Sequence, residues 1–274
     1  MLRDMKDMEG FAIGATDGTI GQVKDFYFDD DAWVIRYFVV ETGSWHSSRR
    51  VLISPVSIGP PNWAEKLLPA TIRQDQVKNG PDIDTDKPVS RQQEMGYSGY
   101  YGYANYWGGG GLWGAGLYPD ILQAGSRDPN RKELNQPSRS LRKTASETRR
   151  QNELHLRSAN QVMRYYIHAT DGDIGHVQGI LVEDGTWAIR YLVVNTSNWW
   201  LGHEVLIAPE WIDHIFWEES KVVVALSRQA VKNAPAYDSK RTLLRAQEKL
   251  LHAHYGHSGY WAIDAEPDSK VVNA

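Results

Sequence analysis

The most constraining feature of this chain is an internal duplication. The segment from Ile13 to Pro55 returns without a gap as the segment from Ile167 to Pro209, with roughly half of the positions identical. The same offset relates Trp63 to Trp217. Because each copy reads as a complete module of about a hundred residues, the sequence predicts two tandem domains in one chain.

Turn and strand signals dominate each copy. Asp17-Gly18 and Asp171-Gly172 lie between apolar runs, which predicts a hairpin because glycine supplies the positive φ of a tight turn. The run at residues 33–40 carries aromatic and β-branched side chains on both alternating faces. Such a strand is covered on both sides, so it belongs to a small closed barrel or to a sheet with something packed on its outer face.

Three motifs recur in the same order in both copies: A-T-D-G-x-I-G-x-V, W-x-I-R-Y-x-V-V-x-T and V-L-I-x-P. Over Ala15 to Pro55 and Ala169 to Pro209, the chain resembles the PRC-barrel family. That family includes the cytoplasmic domain of the photosynthetic reaction centre H subunit and the C-terminal domain of the 16S rRNA-processing ribosome maturation factor. The resemblance implies a mainly β fold of two tandem small PRC-type β-barrels with peripheral short helices.

Changes in composition suggest the domain boundaries. We predict a first PRC-barrel-like domain at residues 1–95, a Gly/Tyr/Trp-rich extension at 96–125, a basic polar linker at 126–157 and a second PRC-barrel-like domain at 158–274. The tyrosines and tryptophans of the extension are expected to dock on a barrel or on a partner. The linker is either a solvated tether or a basic arm that touches RNA, an anionic lipid face or the acidic domains themselves.

A C-terminal helix is predicted from about Ser239 to His254, where leucines recur at helical spacing. Its counterpart in the first half begins near Ser90, which has the form of a capping box with Gln93. We expect this counterpart to be shorter, because residues 256–261 echo the start of the extension with extra residues before the echo. Each helix either covers one end of its barrel or docks on another subunit.

No residue pattern predicts catalysis or a cofactor. His252, His254 and His257 have the form H-x-H-x-x-H, but a helix places His252 and His254 on nearly opposite faces. Gly96-Tyr97-Ser98-Gly99 is one residue short of the nucleophile elbow G-x-S-x-G. We therefore expect no catalytic residue, no metal site and no cofactor.

Tryptophans in a loop are the best candidates for partner binding. Trp45 and His46, and Trp199 and Trp200, lie between the central strand and the V-L-I strand of each copy. Binding residues concentrate in loops on a rigid scaffold, and tryptophan is enriched in interface hot spots. The alternative is that these side chains close the barrel end or pack on the C-terminal helix.

Arg36 and Arg190 are unusual because each lies in the apolar central strand of its copy. Each is either a ligand anchor or a structural cation. A structural cation would pair with a carboxylate, such as Asp30 or Asp184, or lay its stem along the barrel rim.

Cysteine usage and hydropathy indicate the compartment. The chain has no cysteine, which excludes a disulfide framework and fits a reducing cytoplasm. No apolar run is long enough for a membrane span, and the first residues lack the apolar core of a signal peptide. We expect a cytoplasmic protein for which peripheral docking on a membrane stays open.

The expected function is that of a non-enzymatic protein-interaction or scaffold module with a protein partner. The resemblance implies docking on a membrane complex of the photosynthetic reaction centre type. The alternative is an RNA-metabolism or ribosome-associated factor that binds a ribosomal protein. Specific binding of nucleic acid is not expected, because only the linker is basic.

Overall fold

The computed structural model describes residues 1–43, 49–81, 89–107, 109–123, 155–196 and 204–262. The strands are β1 Leu2–Asp4, β2 Ala12–Ala15, β3 Gly18–Asp29, β4 Val34–Thr42, β5 Arg49–Ile53, β6 Leu67–Pro69, β7 Leu156–Ser158, β8 Tyr166–Ala169, β9 Gly172–Glu183, β10 Ile189–Asn195, β11 Glu204–Ile207, β12 Ile212–Phe216 and β13 Lys221–Val224. The α-helices are α1 Gln74–Lys78, α2 Arg91–Tyr101, α3 Ala159–Val162, α4 Arg228–Lys232 and α5 Arg245–Tyr255. None of these described helices combines the length and the apolar composition that crossing a bilayer requires.

The strands form two sheets, which confirms a mainly β fold. The first sheet has the order β5-β4-β3-β2-β6, and β7 pairs with β3 beside this path. The second has the order β11-β10-β9-β8-β13-β12, and β1 pairs with β9. Among the described residues neither sheet closes on itself, so the barrels expected from the resemblance are not confirmed.

The contacts divide the chain into two compact units. Unit 1 contains residues 3–163 and 180–190, and unit 2 contains residues 164–179 and 191–274. The last residues of the predicted linker that the structure describes, from His155 to Arg157, therefore lie in unit 1, where Leu156 and Arg157 belong to β7. The extension is also part of unit 1, since its first residues form the second half of α2.

Both predicted Asp-Gly hairpins are confirmed. Ala15 pairs with Gly18 across the β2–β3 turn, and Ala169 pairs with Gly172 across the β8–β9 turn. Gly18 has φ +145° and Gly172 has φ +135°, backbone angles that other residues rarely adopt.

The aspartate of each turn also accepts a hydrogen bond from the first backbone N–H of a helix. Oδ1 of Asp17 accepts a hydrogen bond of 2.8 Å from the backbone N–H of Gln74, the first residue of α1. Oδ1 of Asp171 accepts one of 2.7 Å from the N–H of Arg228, the first residue of α4. These carboxylates satisfy otherwise unpaired helix donors, which is a structural role.

The glycine of the I-G-x-V motif lets two strands come together. A Cβ atom on Gly21 would lie 2.0 Å from the carbonyl oxygen of Glu41 in β4, and one on Gly175 would lie 1.9 Å from that of Asn195 in β10. No side chain fits at these distances. The motif therefore fixes the close approach of neighbouring strands.

Strand β4 is covered on both faces. Every residue from Val34 to Val40 is buried. On one face, Phe38 makes edge contacts with the rings of Phe26 and Trp187. The opposite face contributes to a cluster of buried residues that includes helix α2: Tyr27, Tyr37, Val39, Leu52, Val89, Tyr97 and Leu156. A helix packed on an open sheet thus accounts for the doubly apolar strand.

The two long helices are equally long, so the expectation of a longer second helix is wrong. Helices α2 and α5 each have 11 residues, and α5 begins at Arg245 rather than near Ser239. They are followed by the capping residues Gly102 and Gly256, both with φ +71°. Gly256 therefore corresponds to Gly102 at the constant offset of the duplication. The resemblance of residues 256–261 to residues 96–101 reflects similar composition rather than equivalent position.

Candidate functional site: two buried glutamates and a groove beside α5

The predicted loop site lies outside the described residues. Trp45 and His46 fall in the gap at 44–48, and Trp199 and Trp200 fall in the gap at 197–203. Their role in partner binding stays a prediction.

Arg36 pairs with a carboxylate, but with Asp29 rather than Asp30. Its Nη2 lies 3.5 Å from Oδ2 of Asp29, and its Nη1 donates to the carbonyl oxygen of Leu112 at 2.6 Å. Its guanidinium also lies over the rings of Tyr106 and Trp113, at 3.8 and 4.7 Å from their centroids. Burial lowers the pKa of Arg36, and these contacts offset the cost of burying its charge.

Arg190 likewise pairs one residue earlier than expected. Its Nε donates to Oε2 of Glu183 at 3.0 Å, and its Nη2 contacts the same oxygen. The predicted carboxylates lie beyond the strand ends and have other partners: Asp30 pairs with Arg157 at 2.8 Å, and Asp184 pairs with Arg3 at 3.4 Å.

The sequence did not predict a buried carboxylate in α2. Glu94 is 0% exposed. Its Oε1 accepts a hydrogen bond of 2.6 Å from the hydroxyl of Tyr106, and its Oε2 lies 3.4 Å from Nη1 of Arg91. Tyr37 of β4 lies near Glu94, which contributes to the raised pKa of its hydroxyl after burial, the largest cause. The guanidinium of Arg91 lies over the ring of Trp107, 4.5 Å from its centroid.

An equivalent carboxylate lies in α5. Glu248 is 3% exposed. Its Oε2 accepts hydrogen bonds from the hydroxyls of Tyr260 at 2.8 Å and Tyr191 at 3.1 Å, and from Nη1 of Arg245 at 3.1 Å. The guanidinium of Arg245 lies over the ring of Trp261, 4.6 Å from its centroid.

All five members of the two sets correspond at the offset of the duplication. We call them glutamate cluster 1 (Tyr37, Arg91, Glu94, Tyr106 and Trp107) and glutamate cluster 2 (Tyr191, Arg245, Glu248, Tyr260 and Trp261). The signal in the sequence is the pair R-x-Q-E and Y-W, at the same spacing in each copy. The spacing becomes visible only when Gly256 is matched with Gly102, at the constant offset, and not with Gly96.

A histidine joins each cluster, but it comes from a different part of the chain. In unit 1, Nε2 of His155 lies 2.7 Å from Oε2 of Glu94. In unit 2, Nε2 of His252 lies 2.9 Å from the hydroxyl of Tyr191, and its Nδ1 lies 3.0 Å from the carbonyl oxygen of Ser258. Burial lowers the pKa of His252, and Nδ1 of the neutral ring donates to Ser258. The Tyr191 hydroxyl has a single proton, which Nε2 of His252 and Oε2 of Glu248 then share as acceptors.

The charge on each glutamate is enclosed by protein donors. Burial is the largest cause of the raised pKa values of Tyr37, Tyr106 and Tyr191, and the nearby glutamates raise them further, so these hydroxyls stay protonated donors at neutral pH. A general acid or base must reach the proton of a substrate, whereas these carboxylates lie under packed side chains. Their arrangement ties α2 to β4 and α5 to β10.

The predicted histidine motif does not converge on one point in the way a metal site would. His252 contacts Tyr191 and Ser258, His254 lies 2.8 Å from the carbonyl oxygen of Ala230, and His257 stacks on Trp211. Each imidazole thus has its own contact with the protein.

An open groove lies beside α5 in unit 2. Its volume is about 330 Å³. Leu206 of β11 lies in its wall, together with residues of the preceding segment and of the helix: Pro235, Ala236, Tyr237, Asp238, Arg241, Thr242, Leu243, Gln247, Leu250 and Leu251. Leu250, one of these lining residues, is 66% exposed, so a large apolar side chain at the groove faces solvent.

The corresponding helix position in unit 1 is filled by an aromatic side chain. Tyr97 takes the place of Leu251, and its hydroxyl accepts from the N–H of Ser54 at 3.1 Å and donates to the carbonyl oxygen of Leu52 at 3.2 Å. Its ring packs edge-on against Tyr37 at 5.0 Å. The shorter leucine in unit 2 makes no such link, which leaves α5 with space beside it.

The chain matches no family model, and no curated protein matches it.

Proposed function

We propose that the chain is a non-enzymatic protein-interaction module and that the groove beside α5 is its docking site. The observation that carries this proposal is a groove of mixed polar and apolar lining with an exposed leucine, Leu250, on the helix that forms one wall. Exposed apolar surface of this kind is typical of sites for a partner's side chains.

Glutamate cluster 2 supports the same function by holding the wall in place. Glu248 lies on α5, the helix that carries Leu250 and Leu251, and accepts a hydrogen bond from Tyr191 of β10. Buried polar contacts of this kind have directional geometry, so they specify how the helix lies on the sheet. A helix held in this way presents a preformed groove and lowers the entropy lost on binding.

Membership of the PRC-barrel family, with a barrel in each copy, belongs to this proposal. Its support is that the strands carrying the three motifs are direct neighbours, in the order β5-β4-β3-β2. Under this proposal the module docks on a larger complex, as the barrel of the reaction centre H subunit does. Amide-proton contacts between β5 and β6 in solution would establish closure, and their absence would exclude it.

The docking site can be tested by photo-crosslinking in cells that make the protein. We would place a benzoyl-phenylalanine at Leu250, and at Phe216 of β12 as an exposed control in the same unit. The proposal expects a discrete adduct with another protein from position 250 only. Equal patterns from both positions, or no adduct from position 250, would contradict it.

A further inference from the structure

We propose that the groove beside α5 binds an acidic amphipathic segment of a partner protein, with its apolar side chains in the groove and its carboxylates against the cations around it. This inference rests on the proposed function, because it names the chemistry of the partner at the same site.

The charge of the groove segment differs sharply between the copies. Residues 232–249 contain five lysines and arginines against two acidic residues, and one of the two, Glu248, is buried in its cluster. The equivalent residues 78–95 contain three cations against four acidic residues. The segment that contributes most of the groove wall therefore carries an excess of positive charge, in a chain whose net charge is −4. Arg241 and Asp238 lie in the wall itself, and Lys240 and Lys249 adjoin wall residues in the sequence.

Three of these cations are available to a partner. The side chain of Arg241, in the groove wall, is 82% exposed, and its ion pair with Asp238 at 3.4 Å is also solvent-exposed. Such pairs contribute little to stability, so Arg241 can exchange this partner for another carboxylate. Lys240 and Lys249 are exposed, and neither forms an ion pair with any residue that the structure describes.

The apolar residues of the groove would contact the apolar side chains of the partner segment. Leu206, Leu243 and Leu251 form its floor and sides, and a volume of about 330 Å³ is at the lower end of the usual range for ligand sites, on the order of 300 to 1,000 Å³. That space is large enough for a few large side chains of a peptide. Acidic residues flanking those side chains would complement the cations electrostatically.

The test uses the full chain and three fluorescein-labelled helical peptides of equal length. The first carries a leucine face flanked by glutamates. The second has lysine in place of each glutamate, and the third has serine in place of each leucine. We expect the first peptide to bind at least about tenfold more tightly than either control, and its affinity to fall as salt is raised.

Variants of this chain separate the electrostatic contribution to peptide binding from the apolar one. The triple change Lys240→Glu, Arg241→Glu and Lys249→Glu should reverse the preference between the first two peptides. Lys6→Glu, Lys66→Glu and Lys78→Glu, exposed positions in unit 1, change the net charge equally and should leave the preference unchanged. Leu250→Ser should weaken the first peptide at least about tenfold, and an exposed site tolerates it without loss of folding.

The outcomes distinguish this inference from the proposed function. If Leu250→Ser weakens binding but the charge reversal does not, the groove docks a partner and its acidic character is wrong. If the serine peptide binds as well as the leucine peptide, the surface binds polyanions only and the inference is overturned. If removal of residues 263–274, which include three acidic residues, raises peptide affinity about tenfold or more, the occupant is this chain's own segment and not a partner.

Discussion

At the scale of single residues, the buried glutamates show how the duplication retained a polar contact inside an apolar region. Taking a carboxylate out of water is costly unless it is paired and hydrogen-bonded. Glu248 meets this condition with two hydroxyls and a guanidinium. Replacing the carboxylate of Glu248 with an amide should keep the shape of the side chain but give its hydroxyl and guanidinium donors a poorer acceptor.

We therefore expect Glu248→Gln to lower the free energy of unfolding of unit 2 by about 1–3 kcal/mol. Urea titrations followed by tryptophan fluorescence would measure the change. Lys249→Gln is the matched control, because it alters charge at the next, exposed residue and should have little effect. Equal stabilities for the two variants would show that the cluster is not structural.

The neutral state of His252 predicts a dependence on pH. Burial lowers its pKa, as do the nearby charges of His257 and Arg245, so the unfolded chain binds the proton more readily than the folded chain. Stability then rises with pH up to the unfolded pKa, about 6.5, and falls as pH decreases below it.

Unit 2 should accordingly lose stability between about pH 7 and pH 5. Urea midpoints across this range would measure the loss, and His252→Gln should flatten the profile relative to His257→Gln. A parallel profile for the His252 variant would assign the pH dependence to other groups.

Arg36 and Arg190 show which features of a single residue can be predicted from the sequence and which cannot. A cation in an apolar strand is visible in the sequence, so Arg36 and Arg190 could be singled out. Their partners could not be fixed from the sequence. In unit 1 the pairing of β3 with β4 shifts between Tyr27 and Phe28, so that Arg36 lies at a bulge in β4 and has no paired residue opposite it. Glu94 and Glu248 look like ordinary surface residues of a helix, and only the fold shows that they are buried.

At the scale of elements, the strands and hairpins could be predicted better than the helix ends. Asp-Gly turns have a strong local cause, whereas leucine spacing continues beyond the helix. Leu243 fits the helical pattern, but it precedes α5 and lies in the groove wall. Tertiary packing rather than periodicity decides where this helix begins.

Two glycines of the α2 region allow opposite effects of an alanine substitution to be compared. Gly102 ends the helix with φ +71°, which alanine adopts only with strain, so Gly102→Ala should destabilise unit 1 by about 1 kcal/mol. Gly96 lies within the helix, and a Cβ atom there would meet nothing within 4 Å.

Gly96→Ala should therefore stabilise unit 1 by about 1 kcal/mol through helix propensity. Thermal or urea unfolding of the two variants would check the opposite signs. Effects of the same sign would contradict the assigned helix end.

At the scale of the whole molecule, the compact units and the sequence repeats have different boundaries. Unit 1 includes Tyr106 and His155, both partners of Glu94 and both beyond residue 95. It also includes residues 180–190, where Thr186 accepts a hydrogen bond of 2.8 Å from the indole Nε1 of Trp113. The repeat alone predicts two modules and does not identify the chain segments that complete their cores.

A fragment of residues 1–95 should therefore fail to fold, because Glu94 would be left without these donors. A fragment of residues 1–163 should fold, with lower stability than unit 1 has in the intact chain, because it lacks residues 180–190. Amide chemical-shift dispersion and urea titrations would compare the two. A well-dispersed spectrum from residues 1–95 would restore the boundaries predicted from the repeat.

The different origins of the two histidines bear on the order in which the chain becomes native. In unit 2, Tyr191 precedes α5 in the chain, His252 lies within the helix, and Tyr260 follows Glu248 by 12 residues, so every partner of this cluster is present soon after α5 has been synthesised. In unit 1, Glu94 contacts His155, which is synthesised much later than α2, so glutamate cluster 1 lacks this contact until then. The first copy to be synthesised thus remains incomplete during translation, whereas the second assembles its glutamate site almost at once.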